Sequence, residues 1–153
     1  FDKETFLAKK EEITTLCKTF NARAYFWVNP RNCKQVQYEI IKETLEAIEL
    51  GTHKLFKCIS SALGRKRCNK YKSKWILDFD TKDWNLINKY LEIVYKCRPD
   101  GIKVNTFIKT INGIHVITDP FDLGQFKQEL AIAKLDNIDI HRDNPTVLYY
   151  SNE

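Results

Sequence analysis

Two aspartates separated by a single residue, Asp78 and Asp80 in the run Trp75-Ile76-Leu77-Asp78-Phe79-Asp80, are the clearest start of a chemical site in this chain. In a strand, side chains two apart share a face. Both carboxylates then point the same way and repel one another unless a hard cation lies between them. Oxygen-only sites of this kind suit Mg²⁺ or Mn²⁺, which bind through a few acids and leave positions for substrate phosphates. Asp139 is a candidate third ligand, for one or two ions bridging a triphosphate. His115 can meet a phosphate oxygen. The turn before it, Lys109-Thr110-Ile111-Asn112-Gly113, offers a cation, a hydroxyl and backbone N–H groups for others. Asp119, Asp122, Asp136 and Asp143 read as turn or cap residues, any of which could replace Asp139 as third ligand.

The elements that must position these residues follow from periodicity. Residues 75–80 form a strand, and Asp83 caps a helix from Trp84 to about Cys97 with Trp84, Ile87, Leu91 and Val94 as its apolar stripe. Strands are expected at 102–110 and 114–118 around a tight Asn112-Gly113 turn. A helix follows at 123–134, then strands at 137–140 and 146–150. The order from 75 to 140 is β-α-β-β-α-β, which folds as a four-stranded antiparallel sheet with both helices on one side, the first and third strands central and the fourth beside the first. Trp75, Leu77, Phe79, Ile114, Val116, Ile138 and Ile140 then face the helices. Asp78, Asp80, His115, Asp139 and His141 share the other, open face. The expected fold class is α/β (α+β), with an antiparallel-rich sheet, an RRM-like or ferredoxin-like βαββαβ core and an N-terminal extension.

That extension spans 1–74 of what reads as a single domain over 1–153, with 75–150 as the core. It comprises a helix over 3–20 (Ile13, Leu16, Cys17 and Phe20 in step), a strand at 24–28, turn chemistry at 29–32, and a helix from Val36 to Leu50. The last of these has Ile41, Leu45 and Ile48 as its inward face and stops at Gly51. The stretch from 54 to 74 carries Lys54, Lys57, Arg65, Lys66, Arg67, Lys70, Lys72 and Lys74 and no acid. Its local charge is +8 against +5 for the whole chain, which leaves −3 elsewhere. A concentrated basic segment with Tyr71 and Trp75 beside it is the footprint of a phosphate-backbone binder able to stack bases. Arg65, Lys66, Arg67, Lys70, Lys72 and Lys74 are its candidate contacts.

Apolar content of 43% with 29% charged residues indicates a water-soluble globular domain, and no apolar run is long enough for a membrane helix. The five cysteines have no zinc-ligand spacing and read as reduced, mostly buried thiols. With no signal-peptide pattern in FDKETFLAKKEE, the expected compartment is the cytoplasm.

These residues resemble the archaeo-eukaryotic primase superfamily, the primase-polymerases that include plasmid and phage members. WILDFD is similar to its strand ending in DxD, KTINGIHVIT to its small-x-His element, and Ile138-Asp139 to its later hydrophobic-Asp. YFWVNPR (25–31) resembles a stretch found early in the primase-polymerase subgroup. Gly113 stands where the family usually has a serine or other small residue, and the zinc-binding insertion of many relatives is absent. The resemblance implies a DNA-replication nucleotidyltransferase that uses nucleoside triphosphates and a template strand. Asp78, Asp80 and Asp139 would hold Mg²⁺ or Mn²⁺, and His115 with Lys109 would hold the triphosphate. A replication partner protein could complete so short a unit. Two alternatives stay open. One is an RNA- or single-stranded-DNA-binding module with an RRM-like sheet and no catalysis. The other is a metal-dependent nuclease using the same acids, with His141, Tyr149 or Tyr150 contributing.

Overall fold

The computed structural model describes residues 3–52, 55–142 and 145–150. The described elements are, in chain order, α1 (Lys3–Thr19), β1 (Arg23–Trp27), α2 (Cys33–Glu49), α3 (Leu55–Gly64), a 3-10 turn at Lys66–Cys68, β2 (Trp75–Phe79), α4 (Trp84–Lys96), β3 (Val104–Lys109), β4 (Ile114–Thr118), α5 (Leu123–Ala133), β5 (Asp139–His141) and β6 (Pro145–Tyr150). The chain is an α+β protein with antiparallel sheets. No helix among the described residues is long and apolar enough to cross a membrane.

The main sheet has the order β3-β4-β2-β5, every neighbouring pair antiparallel. Its central strands are the two that the β-α-β-β-α-β reading places there. Local chemistry sets the boundaries. The Asp83 carboxylate accepts from the N–H groups of Asn85 and Leu86 to start α4, and Asp122 does the same for Gly124 and Gln125 at α5. One sheet face carries Leu77, Phe79, Ile114 and Val116 against Ile87, Leu91 and Val94 of α4 and Phe126 and Leu130 of α5, a single apolar core. Trp84, expected in that stripe, is 45% exposed and meets the Phe107 ring edge-on, the ring centroids 5.4 Å apart. The first turn of α4 therefore overhangs the sheet edge.

Three expectations need correction. The strand at 145–150 does not join the main sheet; it pairs with β1 as a separate antiparallel ribbon. The second sheet face is not open either. Ile76 and Ile117, which alternate with the core residues, are buried without belonging to the helix-side core, and the polar side chains between them are only partly exposed. Finally, α2 turns its expected inward face outward, with Ile41 61%, Leu45 56% and Ile48 65% exposed. Its interior side carries Val36 and Glu39 instead, because α3 and the 3-10 turn bring Arg65 and Arg67 there, both bonded to Glu39.

Asn29, directly after β1, ties the N-terminal half to the sheet. It is buried. Its Nδ2 donates to the carbonyls of Lys74 (3.0 Å) and Arg142 (3.1 Å), and its Oδ1 accepts from the Lys74 N–H at 2.6 Å. One side chain thus fastens the entrance of β2 to the residue just beyond β5.

Candidate functional site

The polar face is built by register. Asp78 lies opposite His115 of β4 on one side and opposite Asp139 of β5 on the other. Directly opposed residues on adjacent strands share a face with their Cβ atoms about 4.5–5.5 Å apart. His115 Nε2 lies 3.1 Å from Asp78 Oδ1, and His141 Nε2 lies 3.5 Å from Oδ2, so an imidazole stands at each carboxylate oxygen. The other ring nitrogen of His115, Nδ1, is 2.6 Å from the hydroxyl of Thr146, which is fully buried in β6. A neutral imidazole has one N–H and one bare nitrogen. The tautomer that satisfies both neighbours has the proton on Nε2, donating to Asp78, while Nδ1 accepts from the Thr146 hydroxyl. The result is a line Thr146–His115–Asp78 running from the ribbon into the sheet. The Asp78 side chain is 28% exposed and that of His115 14%, so the carboxylate retains access to solvent that the imidazole largely lacks.

Asp80 and Asp139 are both exposed. Together with Asp78 they line a cleft of about 320 Å³ at the C-terminal end of β2, walled by Tyr90 and Asn137. Burial pushes the Tyr90 phenol pKa up, and the negative charge of Asp136 adds to this; its hydroxyl donates to the Asp136 carbonyl at 3.0 Å. Tyr90 is therefore a neutral donor fixed in the wall. The donor set, carboxylates without thiols, fits Mg²⁺ or Mn²⁺ in kind. Among the described residues, no group of three or more His, Cys, Asp or Glu side chains stands gathered for metal ligation.

Gly113 explains how the end of β2 is held. A Cβ there would lie 1.7 Å from the Phe79 carbonyl oxygen and 2.8 Å from the Thr81 nitrogen, the residues flanking Asp80. The position takes no side chain at all. Thr110 closes the same turn: its N–H donates to the Gly113 carbonyl and its hydroxyl accepts from the Gly113 N–H, both at 3.0 Å. That N–H is thus already used, and Thr110 serves the turn. Asn112 is exposed at the tip. Lys109 is paired with Ile114, whose side chain faces the helices, whereas Ile108 is the partner of His115. By strand alternation Lys109 belongs to the helix side of the sheet, away from the face of His115.

The basic segment divides. Arg65 pairs with Glu39 and Glu43, Arg67 with Glu39, and Lys74 with Asp119, so these three are bound to the protein itself. Burial drives the Glu39 carboxyl pKa up, but the Arg67 hydrogen bond and charge, the Gln35 amide and the Arg65 charge together leave it below the ordinary range. Lys70 lies 5.2 Å from the centre of the Tyr71 ring. Lys57 is exposed on α3, and Lys66 and Lys72 face a second cleft, at the opposite end of β2. Lys54 lies outside the described residues. All five thiols are free. Burial pushes those of Cys68 and Cys97 up, which keeps them unreactive.

Sequence reasoning did not find Thr146, Asn29 or Arg142. Thr146 carries the pattern of an ordinary strand residue, and Asn29 stands in a turn sequence where asparagine needs no further reason. Neither signals a partner on another element. No protein-family model, curated protein or solved structure matches this chain.

Proposed function

We propose that this chain is a metal-dependent nucleotidyltransferase of primase-polymerase type, acting on nucleoside triphosphates and a nucleic-acid template. The observation that carries the reading is that Asp78, Asp80 and Asp139, from two adjacent strands and the end of one of them, line a single cleft, where a cation would have to draw their carboxylates together. These three carboxylates would hold Mg²⁺ or Mn²⁺, which when bound supplies offset of triphosphate charge. Thr146 and His115 fix the orientation of Asp78, so that one cleft wall is set before any ligand arrives. Tyr90, its hydroxyl donated to the Asp136 carbonyl, is a fixed neutral wall of the cleft. The reading places the protein in a reducing cytoplasm, where five free thiols persist.

The test is a titration of the protein with Mn²⁺ and a non-hydrolysable nucleoside triphosphate, beside an Asp78→Ala/Asp80→Ala variant. Metal-dependent binding that the variant loses supports the site, and primer extension on a template then tests the activity. A folded wild-type protein that binds no triphosphate with metal present refutes the reading. A second reading, strand binding without catalysis, is favoured by the basic cleft at the other end of β2. It predicts binding to single strands that a chelator leaves unchanged.

A further inference from the structure

The second cleft, about 560 Å³, opens between the segment after the 3-10 turn and the chain just beyond β5. Lys66, Lys72 and Arg142 face it, with Tyr71 and Trp75 as its aromatic surfaces, and none of its described lining residues is acidic. Lys66 and Lys72 are exposed and stand in no salt bridge among the described residues. Their neighbours Arg65, Arg67 and Lys74 do, so the protein separates structural cations from free ones within ten residues. The Trp75 ring meets Phe121 edge-on at 5.3 Å, and the Arg142 guanidinium lies over it, 5.4 Å from the ring centre. Tyr71 is 65% exposed, with Lys70 Nζ 5.2 Å from its ring centre adding a further cation beside the aromatic surface.

We infer that this cleft is a binding site for single-stranded nucleic acid, with phosphates on Lys66, Lys72 and Arg142 and a base stacked on Tyr71. Cations alone would suit any polyanion. The aromatic surfaces among them favour bases, whose flat faces stack on such rings whatever the sequence. Arg142 joins the site from the far end of the chain, held in place by Asn29 through its backbone carbonyl. The cleft is at the Trp75 end of β2 and the acids at the Asp80 end, about 17 Å apart along the strand. A strand lying in the cleft would thus reach toward the acids without competing for them. This inference rests on the strand-binding part of the proposed function and is independent of its metal.

The experiment is fluorescence anisotropy of an oligothymidylate of about twelve nucleotides, run in EDTA, from 50 to 200 mM salt. Three phosphate contacts predict a roughly twentyfold loss of affinity across that range. A Lys66→Glu/Lys72→Glu variant, which leaves Arg142 and Trp75 in place, should lose at least tenfold and most of the salt dependence. Tyr71→Ala should lose about tenfold. Lys89→Glu/Lys127→Glu, at two exposed lysines on α4 and α5, makes the same change of net charge and should bind as wild type. Asp78→Ala/Asp80→Ala should also bind as wild type, so failure of the metal site and failure of this site are told apart. The inference is overturned if the Lys66/Lys72 variant binds normally or if the control lysines matter equally. It is also overturned if polyglutamate displaces the oligonucleotide at equal charge, since an acidic polypeptide would then fit as well.

Discussion

Gly113→Ala is the substitution that most directly interrogates the geometry around the acids. The added methyl would lie 1.7 Å from the Phe79 carbonyl oxygen, whereas real Cβ atoms essentially never come within 3.0 Å of a neighbour. The β2–β4 approach must therefore open by about 1.3 Å or more. An opening of that size stretches adjacent backbone hydrogen bonds near 3.0 Å past any useful length. Overpacking of about 1–3 kcal/mol, with one buried backbone bond weakened at about 1 kcal/mol, gives an expected loss of roughly 2–4 kcal/mol. For a chain of this size that lowers Tm by about 5–15 °C. Gly64 is the internal control. It ends α3, and a Cβ there meets nothing within 4 Å. Gly64→Ala should be neutral or stabilising by up to about 1 kcal/mol. Urea denaturation of both variants supplies the readout. A Gly113→Ala protein within about 0.5 kcal/mol of wild type would refute the close approach of the turn to Phe79–Thr81, and with it the placement of Asp80. Where the variant stays folded, triphosphate binding should fall, because the residues on both sides of Asp80 are those displaced.

Other expectations follow from the buried polar groups. Thr146→Val keeps the volume of the side chain but removes the donor to His115 Nδ1; it should cost about 1–2 kcal/mol and shift the His115 tautomer population in ¹⁵N-detected NMR, and an unchanged tautomer would refute the Thr146–His115 bond. Glu39 has a folded-state pKa below its unfolded value near 4.3, so its contribution is full above that value and is lost as pH falls through the folded one. The urea midpoint should hold from neutral pH to about 5 and drop in stronger acid. The deficit of Glu39→Gln relative to wild type, large at neutral pH, should shrink in that acid range; a constant deficit would show that Glu39 acts by shape and not by charge.

The half of the fold that holds the acids was legible because its signals are local. Alternation set which residues of 75–79 and 114–118 face the helices, and Asp83 and Asp122 announce their helices as caps. The strand order followed from the β-α-β-β-α-β succession. The juxtaposition of Asp78 with His115 and Asp139 then needed only parity and order. What escaped was everything decided by distant pairing. The partner of β6 is β1, more than a hundred residues earlier, and no local pattern distinguishes that from a fifth strand of the main sheet. The orientation of α2 was missed for a related reason. Ile41, Leu45 and Ile48 make the better apolar stripe, but Glu39 can be buried because Arg65 and Arg67 arrive to neutralise it. Hydrophobic periodicity gives acids no inward weight, so it points to the wrong face whenever a buried charge cluster organises a helix. The same pairing removes two cations from the basic segment, which composition alone counts as free.

The β1–β6 ribbon is part of the site, not an accessory to it. A sheet face bearing Asp78, His115 and His141 cannot be covered by an apolar layer without leaving their polar atoms unpaired, and each such atom carries a desolvation cost. The ribbon side meets this requirement with matched polar groups. Thr146 presents a hydroxyl to His115, and Asn29 satisfies both its donor and its acceptor on Lys74 and Arg142. Because hydrogen bonds are directional, these contacts also specify one register of ribbon on sheet, which apolar packing alone would leave looser. The two clefts depend on that register in different ways. At the acidic cleft it fixes His115 and through it Asp78; at the basic cleft it holds the backbone of Arg142 against the entrance of β2. A change at Asn29 would therefore disturb both ends of β2, whereas a change at Thr146 acts first on the acids.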